Sequence, residues 1–143
     1  MYEDILLPTD GSSGTVDVID HAIAIGTDHD ATVHGLYVVD RRLYMAAAED
    51  TKAEVTQSLQ EQGEVALDDA RVRIEEAGLT ARTVAREGIP HREILDYAEE
   101  AGIDLVVMGT HGRTGPDRIA NLGSTTERVV EDGSVPVLVV DIQ

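Results

Sequence analysis

Val106-Val107-Met108-Gly109-Thr110-His111-Gly112-Arg113-Thr114-Gly115, followed downstream by Leu122-Gly123-Ser124-Thr125-Thr126-Glu127, carries the reading of this chain. An apolar run from Ile103 to Met108 stops at glycine. A short polar loop follows, and a second glycine–hydroxyl cluster opens a helix. Strand, glycine-rich loop and helix N-terminus in that order make a phosphate-binding arrangement. Glycine lets backbone N–H groups approach an anion that a Cβ would hold away. Ser124, Thr125 and Thr126 add hydroxyl donors, and the helix end adds partial positive charge.

The same alternation extends in both directions. Ile5-Leu6-Leu7-Pro8 is a short apolar run closed by Thr9-Asp10-Gly11-Ser12-Ser13, which is turn and N-cap chemistry. Val16, Ile19, Ile23 and Gly26 recur at helical spacing, with Asp17, Asp20 and Asp28 outside. Residues 31–39 read as a strand and 40–49 as a loop. A long amphipathic helix follows, with Val55, Leu59, Ala66, Ala70, Ile74 and Ala77 on one face and Gly78 as its stop. Residues 80–86 alternate as a strand near a sheet edge does. Gly88 and Pro90 open a helix with Ile94, Leu95 and Ala98 inward and Gly102 at its end. Residues 105–108 form a buried strand and 124–130 a helix. The last strand has Val135 and Val140 at its ends, with Pro136 near its start. Strands alternating with helices imply a parallel sheet covered on both faces, with right-handed crossovers.

Composition bounds the partners. The 143 residues suit a single domain, 1–143, with a substantial core. There are 28 acidic against 11 basic residues, a formal charge of −17, and Lys52 is the only lysine. Such a chain repels a nucleic-acid backbone or an anionic membrane. An anion site in it has to be local and built from backbone groups. Acidic residues spread over the whole chain, with lysine almost absent, predict a cytoplasm of high salt and a halophilic source, the alternative being an ordinary acidic protein of a mesophile. Cysteine is absent, so there are no disulfides and no thiolate chemistry. Met1-Tyr2-Glu3-Asp4 is acidic and precedes only three apolar residues, unlike a signal peptide. No stretch approaches the ~18 apolar residues of a membrane span. The expected location is the cytoplasm.

In an open parallel sheet, ligands bind beyond the strand carboxyl ends where the winding reverses. Pro8-Thr9-Asp10 and Gly109 to Gly112 are the two strand ends with unusual chemistry, and Val38-Val39-Asp40 offers a third wall. Backbone groups there suit the edge of a planar base. Asp10 suits ribose hydroxyls or a base amino group, and suits equally a plain helix N-cap. A P-loop needs Gly-x4-Gly-Lys-Ser/Thr, and no Gly-x-Gly-x-x-Gly follows the first strand, so neither common nucleotide fingerprint applies. No nucleophile-plus-base set is visible, so no catalytic residue is assigned. His21, His29, His34 and His91 lack metal-ligand spacing and read as surface or partly buried polar groups, so no metal ligand is assigned. His111 and Arg113 read as loop residues between motif glycines.

These residues resemble the universal stress protein family over the whole chain. The resemblance rests on Ile5-Leu6-Leu7-Pro8-Thr9-Asp10-Gly11-Ser12, Leu36-Tyr37-Val38-Val39-Asp40, Gly88-Ile89-Pro90, the run from Asp104 to Gly112, Gly123-Ser124-Thr125-Thr126-Glu127-Arg128-Val129 and the final Val135-Pro136-Val137-Leu138-Val139-Val140. The family's nucleotide motif is Gly-x2-Gly-x9-Gly-Ser/Thr. Here Gly112 and Gly123 are separated by ten residues, Arg113 to Leu122, one more than the motif, with the extra residue around 116–121. That departure bears on how Gly123 and Ser124 register with a phosphate chain.

The resemblance implies an α/β fold: an open five-stranded parallel sheet with helices on both faces, Rossmann-like and adenine nucleotide alpha hydrolase-like, in strand order 3-2-1-4-5. It implies an ATP-binding member, with AMP or ADP as alternatives and Mg²⁺ to offset the polyphosphate charge. Carried over by residue, Pro8, Thr9 and Asp10 border adenine and ribose, and Val38 pairs with the adenine edge through its backbone. Met108 and Gly109 lie against the ribose, and Gly112, Gly123, Ser124 and Thr125 hold the phosphates. It also implies a homodimer through the last strand. The expected function is a stress-response regulatory or interaction protein. The alternatives are a slow ATPase or nucleotidyl-transfer enzyme, for which Asp10, Asp40 and Asp117 are the candidate carboxylates, and a nucleotide-free structural dimer.

The charge pattern gives a direct test. With 28 acidic residues, self-repulsion is screened only at high ionic strength. Thermal melts from low to molar KCl should show a rising midpoint, and a flat or falling one rejects the halophilic reading.

Overall fold

Ile5, Leu6 and Leu7 are consecutive residues of one strand, and none has any solvent exposure. Successive strand side chains point to opposite faces, so such a run needs a packed layer on each side. The computed structural model describes residues 1–11, 15–110 and 123–141. They form β1 (Asp4–Thr9), α1 (Thr15–His29), β2 (Thr32–Asp40), α2 (Arg41–Met45), α3 (Lys52–Glu76), β3 (Thr80–Gly88), α4 (Pro90–Ala101), β4 (Leu105–Gly109), α5 (Ser124–Asp132) and β5 (Val137–Val140). The sheet is parallel in the order β3-β2-β1-β4-β5, the order expected from the resemblance.

Two cores sandwich the sheet. On one face Ile5, Leu7, Val33, Leu105 and Val107 pack with Val18, Ile19 and Ala22 of α1 and Ala70 and Ile74 of α3. On the other, Leu6, Leu36, Val106 and Met108 pack with Ile94, Tyr97 and Ala98 of α4 and Val129 of α5. Burying one such Leu, Ile or Val side chain contributes roughly 1.5–3 kcal/mol. The aromatic-poor core closes by letting backbones approach. A Cβ on Gly63 of α3 would sit 2.4 Å from the Tyr37 ring, so glycine there lets α3 lie flat on β2.

Some elements differ from their sequence reading. The 40–49 segment contains α2, whose five residues are too few to show a period. Asp40 caps it by accepting the Arg42 amide at 3.0 Å. The buried face of α3 is Leu59, Gly63, Leu67, Ala70 and Ile74. Val55 and Ala66 are half-buried at its flank, and Ala77 lies exposed beyond the helix end. β5 starts at Val137, not Val135; Pro136 lacks an N–H, although its carbonyl still accepts the Val106 amide at 2.9 Å.

Polar pins join the amino ends of the strands. One Asp104 carboxylate oxygen accepts the amides of Glu3 (2.9 Å) and Asp4 (3.0 Å), tying the start of β1 to the turn before β4. His34, which the sequence reads as a surface or partly buried polar group, is buried near the start of β2, 3% exposed. Its Nε2 lies 2.9 Å from Asp4 Oδ1 and its Nδ1 2.6 Å from the Tyr97 hydroxyl. An ionised carboxylate only accepts, so a neutral His34 carries its proton on Nε2, and Nδ1 accepts from Tyr97. A lone histidine within an apolar strand gives no sequence sign of these partners.

Burial pushes the Tyr97 phenol above its ordinary range, against the opposing pull of Arg82 and Arg86. Above about pH 10 the unfolded chain loses this proton while the folded one keeps it. The folded state then binds more protons, and stability falls as pH rises. Tyr97→Phe should cost about 1–3 kcal/mol at pH 8, where it strands a buried acceptor. It should also remove the alkaline component. Urea unfolding of both proteins at pH 8 and pH 11 should show the gap between them narrowing at the higher pH.

Candidate functional site

The carboxyl ends of β2, β1 and β4 lie side by side, and the winding reverses between β1 and β4. β1 and β2 pair from Asp4↔Thr32 to Thr9↔Tyr37, whereas β1 and β4 pair only at Ile5↔Leu105 and Leu6↔Val106. Beyond Leu6 the central ladder ends. Pro8 has no N–H to continue it, and Pro8-Thr9-Asp10 and Met108-Gly109-Thr110 flank the place that open α/β sheets use as a ligand crevice. α1 starts just past β1, and α5 starts beside the end of β4. Each helix N-terminus carries a partial charge of about +0.5 and amides without intrahelical acceptors.

The third wall comes from β2. The Thr32 amide donates to the Glu3 carbonyl at 2.9 Å, so Thr32 turns its polar backbone toward β1. By the two-residue period, so does Val38. Val38 lies one residue beyond the last β1–β2 pair, Thr9↔Tyr37. The next amide of the β1 segment, Gly11 N–H, is turned to Thr9 Oγ1 at 3.3 Å. The Val38 carbonyl therefore reaches past the ladder toward the crevice.

The other expected site residues gather on this edge. Pro8 and Asp10 are half-buried, and Thr9 is buried. The Thr9 hydroxyl also donates to the Thr15 hydroxyl at 3.5 Å, so this side chain shapes the β1–α1 turn. α1 begins at Thr15, so Asp10 is not its N-cap. Met108 is buried, and Gly109 is the half-buried last residue of β4. Gly123 is the N-cap of α5; Ser124 is exposed and Thr125 half-buried. Gly112, His111, Arg113 and Asp117 lie outside the described residues.

Two donors read from sequence as phosphate ligands are engaged elsewhere. The Gly123 amide donates to the Thr110 carbonyl. Thr126, 4% exposed, donates its hydroxyl to the Gly109 carbonyl at 2.7 Å. Ser124 and Thr125 remain as the first-turn residues whose amides and hydroxyls lie at the helix tip. Three adjacent hydroxyl residues are equivalent in sequence; only the helix placement separates the buried one.

Asp40, a candidate carboxylate, is gripped by Arg42 through Nε at 2.9 Å and Nη2 at 2.7 Å. This hydrogen bonding raises the Arg42 pKa further. His91, at the start of α4, is held below its ordinary value by burial and then by the charges of Arg128 and Arg92, with Arg42 adding to them. Asp132 opposes them. Among the described residues, no three His, Asp or Glu side chains gather as a metal site. No helix among them is long and apolar enough to cross a membrane. A groove of about 590 Å³ between α4 and residues 132–136 includes Ile103, Asp104 and Pro136. It lies at the amino ends of β4 and β5, away from the crevice.

The winding and the two layers of helices define a doubly wound α/β domain. Residues 1–141 match the universal stress protein family, and the chain belongs to it. Its sequence is 41% identical over 141 residues to universal stress protein MJ0531 of Methanocaldococcus jannaschii, covering 98% of this chain and 82% of that protein. The solved structure of MJ0577, a universal stress protein of the same organism, superposes with a TM-score of 0.88. It is 34% identical, with 100% of this chain and 98% of that chain covered. At the level of fold, a universal stress protein solved in complex with cAMP has a TM-score of 0.76 at 24% identity, covering 99% of each chain.

Proposed function

We propose that this chain is an ATP-binding universal stress protein that acts in the cytoplasm as a regulatory or interaction protein, its nucleotide lying across the β1/β4 crevice. The observation that carries this reading is the convergence of the α1 and α5 N-termini on the gap where the β1–β4 ladder ends. The solved cAMP complex of a protein with this fold adds support. Adenine edges pair with the outward carbonyl of Val38, and the ribose rests between Asp10 and the Met108-Gly109 turn. The phosphates meet the helix tip at Ser124 and Thr125, with Gly112 and Gly123 giving the close approach. Mg²⁺ enters with the phosphates, since it keeps several waters and needs few protein ligands.

Isothermal titration tests the site. Gly112→Val should abolish ATP binding, because a side chain fills the space meant for phosphate. Ser124→Ala with Thr125→Ala should weaken binding by roughly 1–3 kcal/mol, the scale for hydrogen bonds to a charged group. Unchanged affinity in folded Gly112→Val protein rejects the assignment. Multiple turnovers of Mg²⁺–ATP favour the enzyme alternative.

We also propose a homodimer through the last strand, the segment with Val135 and Val140 at its ends. β5 lies at the edge of the sheet, and Val137, Leu138 and Val139 are only half-buried. A hydrophobic edge without lysine or inward charge invites strand pairing, and Pro136 blocks one donor only. Val139→Lys should shift the protein toward monomer, measured by light scattering in high salt. A wild-type monomer at micromolar concentration contradicts the dimer.

A further inference from the structure

The carboxyl end of β4 poses a hydrogen-bonding problem. The Val106 and Thr110 amides both donate toward β5, to Pro136 and Val140, each at 2.9 Å. By strand alternation Gly109 turns its polar groups the other way, toward β1. The β1–β4 ladder has already ended at Leu6↔Val106, so the Gly109 carbonyl finds no strand partner there. A backbone carbonyl at such a position needs a donor. Thr126 supplies it from α5, with a 2.7 Å hydrogen bond across 17 residues of sequence. One turn earlier, the Gly123 amide meets the Thr110 carbonyl.

These two bonds clamp both ends of the 111–122 segment, and the Thr126 bond alone depends on a side chain. Val129, fully buried one turn on, anchors the helix body in the core and leaves the hydroxyl to set the helix tip. We propose that Thr126 is the positioning residue for the phosphate end of the nucleotide site: by pinning the α5 N-terminus to Gly109, it holds the Ser124 and Thr125 amides on the crevice. The inference rests on the nucleotide reading above. The two bonds join Gly109 and Thr110 to Gly123 and Thr126 across a glycine spacing one residue longer than the family motif. The clamp fixes the flanks whatever the length of chain between them.

The test compares ATP and adenosine binding by titration calorimetry in wild-type, Thr126→Val and Thr126→Ser proteins. Valine keeps the shape and deletes the donor. Thr126→Val should weaken ATP about five- to tenfold, the value of one hydrogen bond, and adenosine less than about twofold. Thr126→Ser should restore ATP to within about twofold of wild type. Thr126→Ala, which deletes the same hydroxyl, carries the same expectation if valine disturbs the helix. Equal loss of ATP and adenosine affinity, an unchanged ATP-to-adenosine ratio, or failure of serine to rescue overturns the positioning role while leaving the nucleotide site intact. A wild-type protein that binds neither ligand overturns the nucleotide reading and this inference with it.

Discussion

The structure depends on the reversal of winding beside β1. One strand is buried on both faces by Ile5, Leu6 and Leu7, and the chain leaves it first toward β2 and later returns on the other side as β4. Each half then covers a different face, which produces the two cores. The helix that follows β1 and the helix that follows β4 both begin at the same gap. Two partly positive helix ends beside it are consequences of this one topological fact, and the short central ladder ends where Pro8 has no N–H to give.

The proposed anion site in a protein of charge −17 is a question of distance. Diffuse repulsion from scattered surface carboxylates is screened over about 10 Å at 0.1 M salt and about 3 Å at 1 M. Amides at a helix tip act in direct contact, inside that distance, and salt removes little of their effect. Much of the cationic charge is also spent locally. Arg42 is held by Asp40, Arg86 by Glu93 and Glu100, and Arg128 by Asp132. Around His91 the charges of Arg128, Arg92 and Arg42 are likewise opposed by Asp132.

The opposite ends of the sheet are finished by different chemistry. At the amino ends, buried polar side chains satisfy one another: Asp104 takes two β1 amides, and His34 bridges Asp4 and Tyr97. At the carboxyl ends, single hydroxyls tie off individual backbone groups, as Thr9 does for Gly11 and Thr126 for Gly109. The first arrangement is closed, with its donors and acceptors matched. The second gathers the carboxyl ends of β1, β2 and β4 beside the tip of α5.

The sequence by itself determined the order of strands and helices, because periods of 2 and 3.6 residues and glycine stops are local properties. It also marked the carboxyl edge of the sheet, since Pro8-Thr9-Asp10, Val38 and Gly109 all fall at or near strand ends. Tertiary structure decided what local pattern cannot express. The five-residue α2 is shorter than any periodic window, and β5 loses its first two expected residues to a proline. His34 looks like any surface histidine until β1 and α4 bring Asp4 and Tyr97 to it. The three hydroxyls of Ser124, Thr125 and Thr126 are interchangeable as text. Packing α5 against β4 turns one of them inward to an orphaned carbonyl and leaves two at the crevice, because hydrogen-bond partners are set by position in space and not by distance along the chain.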